Sequence, residues 1–308
     1  MGHKVSICMP NYNFAQYLPE AIESVLRQSY SDFEFIIIDN CSTDNSIEII
    51  KRYAAKDTRI KLSVNEQNIG LVNNLNLCLQ KANGDYIKFM LSDDLFASEK
   101  ALEEMVALMD THEAISLVAS ARNVIDSQSS ILKVWSEYKS RIGYSGTKII
   151  QDCLIEQKNK IGEPSVVMFR KKHIGPGFDA RYHQAVDLAL WFHILEQGDF
   201  AYLDRPLCSF RMHSNQQTKI NTERDDLNDD SFQLIEEYAG KPYIHLSPLM
   251  REYMQYVSVY AVWKLHKKRK ITFSKAIVKI KQHYNLNKFY LLLPFYRIFK
   301  FYRRISRL

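Results

Sequence analysis

The 308-residue sequence lacks several features that would place it in familiar functional classes. Its five cysteines, Cys8, Cys41, Cys78, Cys153 and Cys208, are odd in number, widely spaced and contain no CxxC pair. This excludes a disulfide framework and a cysteine zinc site, and makes a reducing compartment the expectation. His173, His193 and His245 have no metal-ligand spacing either. The opening MGHKVSICMP runs straight into an apolar strand with no charged-then-apolar leader, so no signal peptide is expected. Gly2 has no Ser or Thr at the position myristoylation requires. The final stretch, FYLLLPFYRIFKFYRRISRL, is broken by Pro294, Arg297 and Lys300 and is too short in apolar run for a membrane span. Internal repeats and low-complexity tracts are absent. Phosphate-binding glycines are missing as well: the turn PNYNFAQY has none, which argues against a dinucleotide-binding fingerprint, and no P-loop occurs.

What is present is apolar surface and divided charge. At 46% hydrophobic residues the chain can bury a large core, enough for one full α/β domain and an extension. The net charge of +6 hides an asymmetry. From Lys241 to Leu308 there are 16 Lys and Arg against the single acid Glu252, whereas the first 240 residues carry 25 bases and 34 acids. The basic part is rich in Phe, Tyr, Leu, Ile and Trp. That mixture suits an anionic membrane surface, bound in the interface plane, better than nucleic acid. An ordinary helical bundle with a basic face is the plainer alternative.

Residues 4 to 92 alternate between strand and helix patterns. Strands are predicted at 4–9, 33–38, 60–64 and 85–91, and helices at 15–29, 44–55 and 70–82, with Gly70 and Gly84 at turns. Such a βαβ series implies right-handed crossovers and a mostly parallel sheet. Beyond Asp94 the expected elements are a helix at 98–110, strands at 115–121 and 131–135, a helix at 147–157, the apolar run PSVVMFR and a helix at 184–197. The short strands FAYL and LCSFR follow. The charged stretch 218–230 is the expected boundary, dividing a catalytic domain (1–217) from a helical extension (218–308) with few turn signals before Pro294.

Chemistry concentrates where apolar runs stop. FEFIIID ends on Asp39, YIKFMLSDD on Asp93 and Asp94, and KVSICM breaks at Pro10, Asn11, Tyr12 and Asn13. In an open α/β sheet, ligands bind outside the carboxyl ends of the strands. An aromatic ring, an amide and three carboxylates along that edge suit a base, a ribose and a metal-bound diphosphate. With no phosphate loop, a divalent cation held by carboxylates is the economical way to meet phosphate charge.

VSICMPNYNFAQYLPEAIESVLRQSY, FIIIDNCSTDNS and NIGLVNNLNLCLQKANGDYIKFMLSDD, followed by PSVVMFR, AVDLALWF and LCSFRMHSNQQT, resemble in order and spacing the motifs of the family 2 inverting glycosyltransferases. The resemblance implies a GT-A fold, with a Rossmann-like, mostly parallel sheet flanked by helices. It divides the domain into a nucleotide-sugar donor half (1–95) and an acceptor half (96–217). It also implies a UDP-sugar donor ahead of a dTDP-sugar, Mn²⁺ or Mg²⁺, and transfer of a hexosyl or N-acetylhexosaminyl group to a glycan or lipid-linked acceptor.

Carried over by position, Tyr12 stacks on the base, Pro10 and Asn13 shape the backbone beside it, and Asp39 accepts a base N–H. Asn68 belongs to the nucleotide site, with Gly70 and Asn74 mainly architectural and Gly70 allowing close backbone approach. Asp93 contacts donor and metal, Asp94 follows it, and His213 is a second candidate metal ligand, with Arg211 available to phosphate. Leu91 stands where the family carries its first motif acid, a departure that implies either weaker nucleotide binding or a shift of that contact to Ser92. Asp187 matches the catalytic base, with Val186 in place of the preceding glutamate. His183 and Trp191, four residues to either side, are expected on its helix face as acceptor contacts, Trp191 as a sugar-stacking ring.

These features predict a cytoplasmic enzyme, peripheral on the cytosolic face of a membrane, that builds lipid-linked or cell-surface glycan. A noncatalytic nucleotide-sugar-binding or scaffold protein of the same fold is the alternative. A nucleotidyltransferase is disfavoured, because Pro10 to Tyr17 supplies no base for a triphosphate. No nucleic-acid partner is expected.

Overall fold

The computed structural model of the chain describes residues 3–213, 229–268 and 270–295. Most of the predicted boundary at 218–230, the SNQQT end of the last motif and the tail from Tyr296 onward lie outside the described residues. Two compact units are present: Met1–Ile150 with Asn159–Gln216, and Gln151–Lys158 with Gln217–Leu308.

The first unit is built on strands β1 (Val5–Asn11), β2 (Phe33–Asp39), β3 (Ile60–Val64), β4 (Tyr86–Phe89), β5 (Leu95–Phe96), β6 (Ile115–Ile125), β7 (Ile131–Trp135), β8 (Arg141–Tyr144), β9 (Val167–Arg170) and β10 (Asp199–Arg211). They form one sheet in the order β3-β2-β1-β4-β9-β6-β10-β5, with β7 added on β6 and β8 on β10. Strands β1 to β4 are parallel, as are β6 and β10, while β9 runs antiparallel between β4 and β6. Helices α1 (Leu18–Leu26), α2 (Ser46–Ala54), α3 (Leu71–Lys81), α4 (Ala101–Thr111), α5 (Gly146–Glu156) and α6 (Val186–Leu195) connect them. Every residue of β1, β2 and β6 is buried, as expected of central strands covered on both faces.

Strand order reverses between β1 and β4, which creates the crevice where open α/β sheets bind ligands. Pro10 helps to open it. The sequence suggests that β1 breaks there, yet the strand continues through Pro10 to Asn11, paired with Ile38 and Asp39 of β2. Pairing with β4 stops at Cys8, so the N–H that proline lacks has no ladder partner to lose. The Pro10 carbonyl instead accepts the Ser92 hydroxyl at 2.9 Å.

Two glycines are dictated by backbone. Gly70 has φ +82°, with open space where a Cβ would stand, so its requirement is conformational and not the close approach expected from sequence. At Gly84 a Cβ would lie 2.5 Å from the Ser6 nitrogen, and here close approach is the requirement.

FAYL and LCSFR are one strand, β10, whose register shifts between Leu203 and Pro206 absorb the exposed Asp204 and Arg205. The short strands β5 and β8 were not expected.

Within the second unit lie α7 (Asp229–Tyr238), α8 (Pro248–Lys267), α9 (Phe273–His283) and α10 (Leu286–Leu292). The stops missed in the sequence are caps: Ser247, Thr272 and Asn285 accept the backbone N–H groups of Met250, Lys275 and Lys288, and Pro248 opens α8. Phe232, Tyr256, Val259, Val262, Trp263, Ala276, Ile280 and Phe289 form a core. Phe289 is thereby withdrawn from the interfacial helix predicted for the final stretch. No helix among the described residues is long and apolar enough to cross a membrane.

Candidate active site

The parallel register places Asn11 opposite Asp39. Asn11 Nδ2 donates to Asp39 Oδ2 at 2.7 Å, Ser42 Oγ donates to the same oxygen at 2.7 Å, and the Ser42 N–H donates to Oδ1 at 2.7 Å. Asp39 is fully buried, so its charge is met by three protein donors. Asn13, at φ +59°, accepts the Thr43 N–H at 2.8 Å on its side-chain oxygen, and its own N–H donates to Ser42 Oγ at 2.9 Å. The two strand-end turns are thus laced together. Tyr12, 41% exposed, stands at their rim. The Asn11 side-chain carbonyl is buried without a partner among the described residues.

Asparagines extend this scaffold. Asn40 donates to Asn68 Oδ1 at 2.8 Å, which also receives the Gly70 N–H at 2.9 Å. Asn65 donates to both Asn40 and Asn74, and Asn74 donates to the Ile38 carbonyl at 3.1 Å. An amide carries donor and acceptor together, so four of them close a network with no net charge.

After β4 the chain turns through Leu91–Ser92–Asp93–Asp94. The Leu91 N–H donates to Ser165 Oγ at 3.0 Å, and Ser92 is buried by its bond to Pro10. Asp93 keeps 13% of its side chain exposed, with Oδ2 2.9 Å from His213 Nε2. His213 is held by aromatic neighbours, its ring centroid 5.1 Å from Tyr17 and 5.7 Å from Phe14. Asp94 is fully buried; Oδ1 takes the Arg211 N–H at 2.9 Å and Oδ2 has no partner among the described residues. Burial, with the Asp93 charge beside it, pushes its carboxyl well above the usual range.

Arg211 is not available to phosphate, contrary to the sequence expectation. It is fully buried, lies 4.6 Å over the Tyr17 ring, and donates to the Asp93 and Asp126 carbonyls, Ser129 and Glu20. Its planar fork organises the loop that presents Asp93.

No group of three or more His, Cys, Asp or Glu among the described residues could hold a metal by itself. Asp93 and His213 therefore fit a cation that takes its remaining ligands from diphosphate oxygens and water, the habit of Mg²⁺ and similar ions, and not one needing a protein cage.

Asp187 occupies the first turn of α6. Its Oδ1 accepts the Leu188 N–H at 2.7 Å and its Oδ2 the Asn159 side-chain amide at 3.1 Å. Both are neutral donors. Burial dominates, and with Glu163 adding negative charge nearby the carboxyl is pushed up to about 7, while the residue keeps partial exposure.

The flanking predictions need correction. His183 precedes α6 and so does not share its face, although it is exposed. Trp191 is fully buried, donates to the Gly162 carbonyl at 3.0 Å and packs on Phe169 and Phe178. It has no ring face left for a sugar, because α6 is buried nearly all round.

Comparisons with known proteins give the family. Residues 6–177 match the family described as Glycosyl transferase family 2. The chain belongs to that family. It is similar to the putative glycosyltransferase EpsE of Bacillus subtilis, 43% identical over 126 residues, 41% of this chain and 45% of that protein. It is also similar to the putative teichuronic acid biosynthesis glycosyltransferase TuaG of the same organism, 29% identical over 212 residues, 68% of this chain and 80% of that one. The match thus spans less than half the length of EpsE. Among solved structures, S. aureus TarS 1-349 in complex with UDP-GlcNAc aligns with a TM-score of 0.63 at 18% identity, over 86% of this chain and 73% of that one. The fold is GT-A-like.

Proposed function

We propose that this protein is an inverting glycosyltransferase that moves a sugar from a UDP-sugar to an acceptor hydroxyl with the help of a divalent cation. The observation that carries the reading is Asp187, a partly exposed carboxylate at a helix start, fixed by two neutral donors, which burial pushes up to about 7. A general base works best with a pKa near the operating pH. Family membership supplies the reaction class, and UDP-GlcNAc in TarS supports a uridine donor ahead of a dTDP-sugar. TuaG's assignment to teichuronic acid synthesis supports a cell-surface polysaccharide or lipid-linked glycan as product.

In this mechanism Tyr12 stacks on the base, Asp39 accepts its N–H through the single-bonded Oδ1, and Pro10, Asn13 and Asn68 hold the turns that shape the pocket. Asp93, with His213, would hold Mn²⁺ or Mg²⁺, which would supply Lewis-acid stabilisation of the leaving diphosphate. Asp187 takes the acceptor hydroxyl proton as that oxygen bonds the anomeric carbon. The bond from that carbon to the diphosphate breaks in line, UDP leaves with the electron pair, and the configuration inverts.

A donor screen by released UDP or dTDP, with and without Mn²⁺, tests the reading. Release that depends on the donor sugar and is abolished by chelator supports it; chelator-insensitive release removes the metal role of Asp93, and tight UDP binding without transfer favours a noncatalytic binding protein. The second unit is proposed to lie on the cytosolic face of a membrane, supported by the excess of base from Lys241 onward and by exposed Leu249, Phe273, Val278 and Leu291. Sedimentation with anionic but not neutral liposomes is the expected result, and binding to oligonucleotides instead would overturn it.

A further inference from the structure

Glu163 has no role in the reading above, yet its placement beside Asp187 is built with care. Its loop, just before the turn Pro164–Val166, is tied to α6 from two directions. Asn159 Nδ2 bridges the Gly162 carbonyl and Asp187 Oδ2, each at 3.1 Å, and Trp191 Nε1 donates to the same carbonyl. Asn159 Oδ1 accepts the N–H groups of Ile161 and Gly162, so the loop cannot shift without disturbing Asp187.

The carboxylate itself is held by Arg122. Oε2 lies 2.7 Å from Arg122 Nε, and Oε1 accepts from Nη2 at 3.1 Å. Arg122 is 1% exposed, with its guanidinium 4.4 Å over the Trp135 ring, whereas the Glu163 side chain is 24% exposed. A buried cation fixes the acid from behind, Oε2 is enclosed, and the side chain as a whole keeps partial exposure. A carboxylate has about four lone-pair positions; Arg122 takes one on Oε1 by hydrogen bond and lies in charge contact with the enclosed Oε2, leaving capacity on Oε1 for an incoming donor.

We propose that Glu163 is a specificity-determining residue of the acceptor site, accepting a hydrogen bond from a second hydroxyl of an uncharged sugar while Asp187 takes the proton of the reacting one. The inference rests on the assignment of Asp187 as base. It supplies in space the second acid that the chain lacks at Val186. The pair selects against a carboxylate-bearing acceptor, because placing a third negative group beside two fixed ones costs affinity. Glu163 is the charged group that bears on Asp187, and Arg122 bears on Glu163; the hydrogen bonds of Asp187 are to neutral donors.

The test uses the full chain, the donor found in the screen, and p-nitrophenyl β-glucoside, β-galactoside, N-acetyl-β-glucosaminide and β-glucuronide as acceptors. Glu163→Gln is expected to raise KM for neutral glycosides roughly tenfold with kcat within about threefold, and to narrow the discrimination against the glucuronide. UDP binding should be unchanged, which also certifies the fold, and Glu163→Asp should recover part of the KM. In ¹³C-aspartate spectra, the carboxyl resonance that Asp187→Asn removes should titrate lower in Glu163→Gln. Unchanged neutral-acceptor KM in Glu163→Gln, or a wild-type preference for the glucuronide, overturns the proposal and leaves Arg122–Glu163 a structural ion pair. Full transfer by Asp187→Asn would sink the base assignment instead, and the Glu163 effect on KM would remain readable.

Discussion

The carboxylates proposed for the donor and the acceptor, Asp39 and Asp187, are held in opposite ways. Asp39 is fully buried, yet receives a backbone N–H, an amide and a hydroxyl, all within 2.7 Å. Asp187 is less enclosed, but has only two neutral donors and a second acid nearby, and burial raises it to about 7. Burial alone therefore does not decide what a carboxylate does; the number of its donors and the charges beside it do. Asp39, the acid proposed for the donor, is well supplied and keeps room for one more bond on Oδ1, which suits a rigid recognition surface. The acceptor end is left short, which suits a group that must exchange a proton.

The largest expected effect lies at the short end. Asp187→Asn keeps the shape and the Leu188 bond but cannot take a proton, so kcat should fall by about 10² to 10⁴ while UDP affinity stays nearly constant. Retained transfer would erase the contrast between the two acids. At the well-supplied end the mirror experiment is Asp39→Ala, which leaves two Ser42 donors without their acceptor and the Asn11 amide only its 3.3 Å bond to Ser42 Oγ. Each buried donor left without a partner costs about 1–3 kcal/mol, so a drop in stability of roughly 3 kcal/mol with loss of UDP binding is expected by denaturant titration and calorimetry. A neutral result there would mean that the network does not organise the donor site.

The pH dependence sharpens the same comparison. kcat/KM should fall tenfold per unit below about pH 7, following protonation of Asp187. For stability the sign is the reverse of an ion-paired acid. The folded value lies above the unfolded one of about 3.9, so the native state binds the proton more tightly, and the contribution is full below pH 4 and lost as pH rises through about 7. The loss is at most about 4 kcal/mol. Asp187→Asn has no charge to desolvate and should be the more stable protein at pH 8, with the difference shrinking toward pH 4. A wild type that is equally stable at both ends would mean that Asp187 is better solvated than its surroundings indicate.

Legibility from sequence followed the same division. The strand-end acids were readable because β1, β2 and β4 are mostly apolar runs, broken only by Ser6, Glu34 and Lys88, and the stop of such a run marks a strand end. The α/β class and the parallel half of the sheet came from the same signal. Glu163 was missed because it sits in a loop without periodicity, 24 residues from Asp187 in sequence; its one hint was a lone acid before Pro164 at the head of an apolar run. The strands β5 and β8 are too short to show alternation. In the second unit the stops were present as Ser247–Pro248, Thr272 and Asn285, but their capping role stands out only once the helices are seen.

Trp191 shows why residue spacing misled. Four residues from Asp187 on one helix should mean a shared face, and sharing a face with a base should mean reaching the acceptor. On a helix buried nearly all round, spacing no longer separates ligand-facing from core-facing positions. Trp191 instead reaches the acceptor end indirectly, by holding the Gly162 carbonyl that Asn159 also holds. Trp191→Phe removes one hydrogen bond and little volume, so it should cost about 1–2 kcal/mol of stability and leave the KM for neutral glycosides within about twofold. A stacking platform would lose far more affinity on the same change, and a large rise in KM with unchanged stability would return Trp191 to the acceptor surface.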